Sequence, residues 1–458
     1  MLRILFCLLI PICSSGQISK NITLLDHWTA DTLATNSSGV RYNECFGFEQ
    51  NGNEYVIAGS TEGTHFFQLT DDDHLNPVGY IEGRYVSSMV IHRDFAKFQN
   101  FIYAVCDEGE SSLQIIDISG LPSSVYLVAE NDSTFARVHN VFIDSDNSLL
   151  YACSITERIG GALQSPESMK VFSLADPLNP FLEFTGPSDI PEIHDAFVLD
   201  NIAYLNCGFD GLRVYDFSNP TSPLFIQNTS FYQDQGYNHQ GWLSADGTTY
   251  IFGDETSGKQ LKFCSVENNE VTIIGTFGTN SENNSVPHNI MISGHFAFVA
   301  YYNEGLRIYD TRTSPPIEIA HYDTYPTEEP LFKMKGAWGV HSDYSSGRVV
   351  VSDRVNGLFL VDFRSELFSA QFSGDLIIHP NPVLSGTLIR IQLSDHTIDA
   401  FSITIADYAG RKVIFEEVVA QSFIEVEHQL AVGVYTVRVQ YTDYLGDQQF
   451  FDGKFIVY

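Results

Sequence analysis

Apolar and polar positions alternate with period two along most of the chain, in short runs broken by turns rich in Gly, Asn, Asp and Pro. That alternation predicts β-strands. One hairpin pattern recurs as Tyr204-Leu-Asn-Cys-Gly-Phe-Asp-Gly-Leu-Arg-Val-Tyr-Asp216 and Phe298-Val-Ala-Tyr-Tyr-Asn-Glu-Gly-Leu-Arg-Ile-Tyr-Asp310. A third copy runs from Val349 to Asp362, and weaker ones start at Tyr55, Tyr103 and Tyr250. Each reads as an apolar strand, a polar turn with glycine, and a second alternating strand. Gly63, Gly211, Gly305 and Gly357 stand where a tight turn calls for a positive φ. Sustained helical periodicity with caps is missing.

The repeats start at Tyr42, Tyr85, Phe135, Glu192, Gly236, Ser285 and Gly336, at intervals of 43, 50, 57, 44, 49 and 51 residues. Four short strands per interval is a propeller-blade pattern. The expectation is an all-β protein with a seven-bladed β-propeller over residues 42–363. The last repeat supplies three strands only, so Ile22-Thr-Leu-Leu25, in the leader 17–41, is expected to add the fourth and close the ring. The longest interval holds a Gly/Ser/Pro-rich insertion, Ile159 to Ser168, a surface loop that could face a ligand. After a linker at 364–372, shorter alternating strands over 373–458 predict a separate small Ig-like β-sandwich.

Composition sharpens this picture. Hydrophobic residues make up 44% of the 458 and charged residues 18%, which describes a folded, core-forming chain. The formal net charge of −33 repels phosphate backbones, so nucleic acid is not expected as a partner. Residues 1–16 have a basic start, a short apolar core and small residues at the end, the pattern of a secretory signal peptide. That core is too short to span a membrane, and no other stretch is apolar enough for a transmembrane helix. Without Cys7 and Cys13, five cysteines remain: Cys45, Cys106, Cys153, Cys207 and Cys264. An odd number cannot all pair, and buried small hydrophobes are the expected role.

Four histidines hold one register in successive repeats: His139, His194, His239 and His288, spaced 55, 45 and 49 residues apart. Each precedes a first-strand apolar run, so the four should ring one channel mouth. Turns after second strands return to that face and carry Asp107, Glu108, Asp210, Asp254, Glu255, Glu304 and Asp353. Imidazoles with outer carboxylates that orient them make up transition-metal sites. The four histidines are therefore candidate ligands for copper, zinc or iron, with Asp107, Asp254, Glu304 and Asp353 as outer or ligand-facing carboxylates. A structural role stands beside this one: a histidine at a strand start can hydrogen-bond a neighbouring repeat's backbone and set the spacing. His92 and His341 lie out of register and rank lower. Trp242 and Trp338, near the same face, are expected to be packing anchors.

Two resemblances are carried by particular segments. Residues 42–363 resemble the choice-of-anchor B family of LVIVD-repeat propellers through Asn238-His-Gln-Gly-Trp-Leu243, His288-Asn-Ile-Met-Ile292, Gly305-Leu-Arg-Ile308, Gly336-Ala-Trp-Gly-Val340 and Val351 to Phe359. That family shares an ectodomain, differs in surface attachment and implies no general activity. Residues 373–458 resemble the type A C-terminal sorting domain of the type IX secretion system through Pro380-Asn-Pro-Val383, Gly410-Arg-Lys-Val413, Gly433-Val-Tyr435 and Gly453-Lys-Phe-Ile456. This implies a Bacteroidota-type protein that meets the type IX machinery through residues 373–458 and ends secreted or surface-attached.

Two functions are open on these grounds. One is an exported binding or interaction module for an extracellular ligand. The other is a metal-dependent enzyme, an oxidoreductase for example, suggested by the histidine ring and by a distant architectural similarity to methanethiol oxidases, themselves histidine-rich propellers. The sequence holds no Gly-x-Ser-x-Gly elbow, no phosphate-binding glycine loop and no His-Glu-x-x-His.

Overall fold

A computed structural model describes residues 19–279, 285–326, 334–363, 376–393, 400–407, 409–419, 423–442 and 448–458. The expected signal peptide at 1–16 and linker at 364–372 lie outside the described residues. The chain divides into two compact units, Met1–Leu367 and Phe368–Tyr458.

In the first unit, the described residues form seven consecutive antiparallel sheets and one small hairpin. The inner strands are Tyr42–Gln50, Arg93–Phe98, Asn140–Asp144, Asp195–Leu199, Asn238–Leu243, Pro287–Ser293 and Ala337–His341. Each packs against the next, and the last packs against the first, so the sheets run in a closed, propeller-like cycle. Apolar side chains fill the gaps between neighbouring sheets. Tyr55, Tyr103, Tyr151, Tyr204 and Tyr250, all on second strands, are almost completely buried there. Each such ring contributes about 1.5–3 kcal/mol of burial.

The seventh sheet has only three strands from its own segment: Ala337–His341, Arg348–Asp353 and Gly357–Asp362. Its fourth is Thr23–Trp28, with Thr23 opposite Asp362 and Trp28 opposite Leu358. Ser19–Lys20 pairs further back, against His321 and Tyr322 on the outer edge of the sixth sheet. The N-terminal segment thus covers the outer edges of two adjacent sheets.

Glycines at the hairpin turns are needed for two different reasons. Gly211, Gly305 and Gly357 have φ of +82°, +72° and +102°, where a Cβ is strained. Gly63 departs from the expectation, since it is not among the positive-φ residues. Its constraint is a close approach, because a Cβ there would sit 2.3 Å from the Ile81 carbonyl oxygen. The five cysteines, Cys45, Cys106, Cys153, Cys207 and Cys264, are all free and buried.

The described residues of the second unit form two sheets. Leu376–His379, Leu388–Leu393 and Phe423–Glu427 form one; Ala400–Asp407, Lys412–Val419, Gly433–Thr442 and Gln448–Val457 form the other. They share a core that includes Ile389, Ile391, Ile403, Ile405, Val426, Val437, Val439 and Phe455. In the Pro380-Asn-Pro-Val383 segment, Asn381 donates to the Lys454 carbonyl at 2.9 Å and accepts from the Ile456 amide at 3.1 Å. That amide side chain pins the segment to the last strand.

Candidate functional site

Six of the seven sheets send an aromatic ring to one end of the channel from the start of the inner strand. His92, His139 and His194 immediately precede Arg93–Phe98, Asn140–Asp144 and Asp195–Leu199. His239, His288 and Trp338 are the second residues of their strands. The six rings follow one another around a closed hexagon. Centroid separations are 5.1 Å from His92 to His139, 4.3 Å to His194, 4.2 Å to His239 and 4.3 Å to His288. Trp338 closes the figure, 3.8 Å from His288 and 5.3 Å from His92. The first sheet sends no ring. By register, Asn43 holds that position there, fully buried with neither amide atom hydrogen-bonded.

The rings floor a cavity of about 760 Å³ whose other walls include Arg137, Glu192, Tyr237, Glu255, Tyr302 and Arg354. Pro166 and Glu167, within the expected insertion Ile159 to Ser168, also line it. Beneath the rings is a space of about 20 Å³, with Glu44, Asp94, Asn140 and Asn289 in its walls. A second cavity, about 310 Å³, opens below these carboxylates and amides. Burial raises the Asp94 carboxyl to about 6. Burial also raises Glu44 and Asp195 well above the carboxylate range, and the neighbouring Asp94 charge adds to both.

The anchor on Nδ1 divides four of the five imidazoles into two kinds, and the fifth, His239, has a buried Nδ1 with no hydrogen-bond partner. His194 Nδ1 lies 3.0 Å from the His239 carbonyl oxygen, and His288 Nδ1 lies 2.8 Å from that of Trp338. A carbonyl only accepts, so these nitrogens carry the proton and Nε2 keeps its lone pair. Burial holds His194 and His288 well below the ordinary histidine range, helped by the neighbouring His239. Burial lowers His239 to about 4, against an opposing pull from Glu255. These three are neutral imidazoles at neutral pH. His139 and His92 instead face carboxylates: His139 Nδ1 lies 2.6 Å from Asp107, and His92 Nδ1 lies 2.7 Å from Glu108 and 3.4 Å from Asp107. Burial opposes charge on His92, but the two carboxylates prevail and raise it to about 9. Burial likewise works against the Asp107 charge, and the two imidazoles more than reverse this, taking its carboxyl far below the usual range.

Among the described residues, two groups have ligand atoms all within 4.8 Å of one another: His92, Asp107 and His139; and His239, Glu255 and His288. The second combines two neutral imidazoles with a carboxylate. It is the better match for an ion that binds nitrogen and oxygen donors at about 2.0–2.2 Å. The cysteines fit poorly as ligands, because burial pushes the Cys106 thiol up to about 12 and the others higher still.

The four in-register histidines thus come together on one face, with Asp107 bonded to one of them. The other expected carboxylates do not line this cavity. Asp254 is fully buried, paired with Lys262 at 3.0 Å and bonded to Tyr232 and the Gly236 amide. Glu304 sits 3.5 Å from Arg307. Asp353 accepts from the Thr324 hydroxyl and from the Val355 and Asn356 amides. Asp254 and Asp353 are committed to bonds away from the cavity, and Glu304 is buried beside Arg307 with neither oxygen hydrogen-bonded. Glu255, one residue beyond Asp254, faces the rings, since successive residues of an extended chain point to opposite sides. His92, expected out of register, holds the same place as His139 and His194, immediately before its inner strand, and belongs to the hexagon. Trp338 is part of the site, whereas Trp242 and His341 line the opposite cavity. Trp242 lies three residues past His239 along the same strand, about 10 Å down the channel. The pairing of His92 with Glu108, and the Tyr302 hydroxyl bonded to Glu255, carry no register signal in the sequence.

A family model described as the LVIVD repeat matches residues 194–230 and 287–324. Each match starts at or just before a ring histidine and spans one sheet. No curated protein matches the chain. Among solved structures, two of the extracellular domain of BT4673 from B. thetaiotaomicron are 10% identical at a TM-score of 0.47. The alignments cover 94% of this chain and 59% and 58% of theirs, so the chain spans less than two thirds of that domain. A periplasmic gluconolactonase of Pseudomonas aeruginosa is 12% identical at a TM-score of 0.49, over 84% of this chain and 99% of its own. Among the described residues, no helix is long and apolar enough to cross a membrane.

Proposed function

We propose that this chain is an exported, secreted or surface-attached seven-bladed β-propeller of the choice-of-anchor B type. Its histidine-floored cavity binds a transition-metal ion and, over it, an extracellular ligand. The carrying observation is the convergence of neutral imidazoles and Glu255 on a single cavity. His239, His288 and Glu255 are the nearest ligand set; His194 and His139 complete the arc. Copper, zinc and iron all accept imidazole with carboxylate. Export rests on the apolar, basic-led N-terminus and on the four ordered motifs of residues 373–458, read as an Ig-like sorting domain for the type IX machinery.

Elemental analysis of protein purified from its native compartment tests the metal reading. About one equivalent of copper, zinc or iron is expected, and it should be lost in the alanine variant of His139, His194, His239 and His288. Equal metal in that variant and the wild type sinks the proposal. A metal-dependent enzyme is the second reading, favoured because three protein ligands leave a coordination position for a substrate. Zinc as the native ion carries no redox change itself and would restrict the oxidoreductase form to one in which a separate cofactor takes the electrons.

A further inference from the structure

Arg354 follows the second strand of the seventh sheet, Arg348–Asp353, and is only 5% exposed. Its guanidinium lies 4.2 Å from the centroid of the Trp338 ring and lines the same cavity as the histidines. Nη1 donates to the Met334 carbonyl at 2.9 Å, while Nε is buried with no hydrogen-bond partner. Tyr302, whose hydroxyl bonds Glu255, also interacts with the guanidinium. Among the described residues, no carboxylate forms an ion pair with Arg354. Among the other buried cations, Lys262 pairs with Asp254 at 3.0 Å and Lys170 with Glu157 at 2.6 Å, and Arg93 donates through Nε and Nη2 to the Ser60 and Tyr85 carbonyls, whereas Nε of Arg354 has no acceptor. A guanidinium stays charged at any ordinary pH. Glu255, Glu108 and Asp353 act on it from a distance without an ion pair. Holding a guanidinium out of water with no directly bound counter-ion is costly, and the usual remedy is an anion.

We propose that Arg354 is the anion-recognition residue of this cavity, and that the ligand presents one carboxylate to the guanidinium above the Trp338 face. The planar fork suits a carboxylate, which takes two parallel N–H bonds. The remaining walls argue against a polyanion. Asp107, Glu167, Glu192 and Glu255 outnumber the one other guanidinium, Arg137, along the rest of the cavity, and the chain carries a net charge of −33. They favour a ligand whose other groups are hydrogen-bond donors, a small hydroxy or amino acid. This inference rests on the cavity being a ligand site, and it is independent of the metal.

Calorimetric titration of the full, metal-free protein with acetate, lactate and inorganic phosphate tests it, followed by the same titrations after loading with zinc. Lactate and acetate should bind saturably to both forms, and phosphate no more tightly than lactate. Arg354→Met keeps the stem over Trp338 and should weaken lactate by about tenfold or more. Arg354→Lys keeps the charge without the fork and should fall between; it decides the matter if the methionine variant does not fold. Lactate affinity unchanged in the folded variants, or no saturable binding of either carboxylate to either form, overturns the proposal. Tighter phosphate binding overturns the carboxylate class. Lactate binding with no native metal would defeat the metal reading alone, and native metal without lactate binding would defeat this one alone.

Discussion

His288 donates its Nδ1 proton to the backbone carbonyl of Trp338 at 2.8 Å, and the two rings lie 3.8 Å apart. One bond therefore ties the sixth sheet to the seventh and turns a lone pair on Nε2 toward the cavity. Both roles open to the histidines from sequence, spacing neighbouring repeats and presenting a ligand atom, are available to the same ring.

Replacing His288 with leucine separates these roles. The Trp338 carbonyl loses its donor in a buried place, at a cost of about 1–3 kcal/mol. Urea denaturation of the metal-free variant should register that loss. Unchanged stability without metal would mean that the bond to Trp338 contributes nothing to joining the sheets.

The pH dependence of stability follows from His239. Its folded pKa is about 4 because burial disfavours the cation, against 6.5 for the free group. As pH falls below 6.5, the unfolded chain takes up the proton first, so stability declines from pH 6.5 toward 4 and is unaffected above. The contribution is about 3 kcal/mol. The raised carboxyls Glu44, Asp94 and Asp195 act in the opposite direction. The measurement is therefore the difference between wild type and His239→Gln, both metal-free, across that window. A difference that does not change with pH would contradict this assignment.

Asp107 holds Nδ1 of both His92 and His139. Asp107→Asn removes the charge and keeps the size. The His92 pKa should drop from about 9 by about one unit or more, read by NMR from the ring proton between the two nitrogens. An unmoved titration would leave Glu108 as the only partner that matters to His92.

Deleting residues 17–30 removes the outer strand Thr23–Trp28 and buried Ile22. Gly357–Asp362 then becomes an open sheet edge, a known route to aggregation. A marked fall in melting temperature and concentration-dependent association are expected, and an unchanged melting curve would argue that the strand is dispensable.

Deleting residues 373–458 tests the sorting proposal. The first unit has its own cores between sheets, and the second has a separate one. The truncated protein should fold and remain in the periplasm. Normal amounts at the cell surface would show that export does not depend on this segment.

Local rules account for what the sequence by itself determined. Period-two alternation and turn glycines mark strands because they depend only on neighbours in the chain, and that marks the chain as all-β. The histidine register was legible for the same reason: one position in each repeat carries one residue type, at His139, His194, His239 and His288. Only the tertiary structure decided what meets at the channel mouth. Trp338 joins the ring as a different residue type at an equivalent place, and His92 proves to precede its inner strand just as His139 and His194 do, although the spacing of the repeats set it aside. Asp254 and Glu255 are adjacent in sequence, yet one locks a turn around Lys262 and the other faces the cavity. Arg354 is one arginine among many until its burial over Trp338 in the histidine-lined cavity and its unpartnered Nε set it apart. Such distinctions depend on side-chain direction and on burial between residues far apart in the chain, and neither is written in the local pattern.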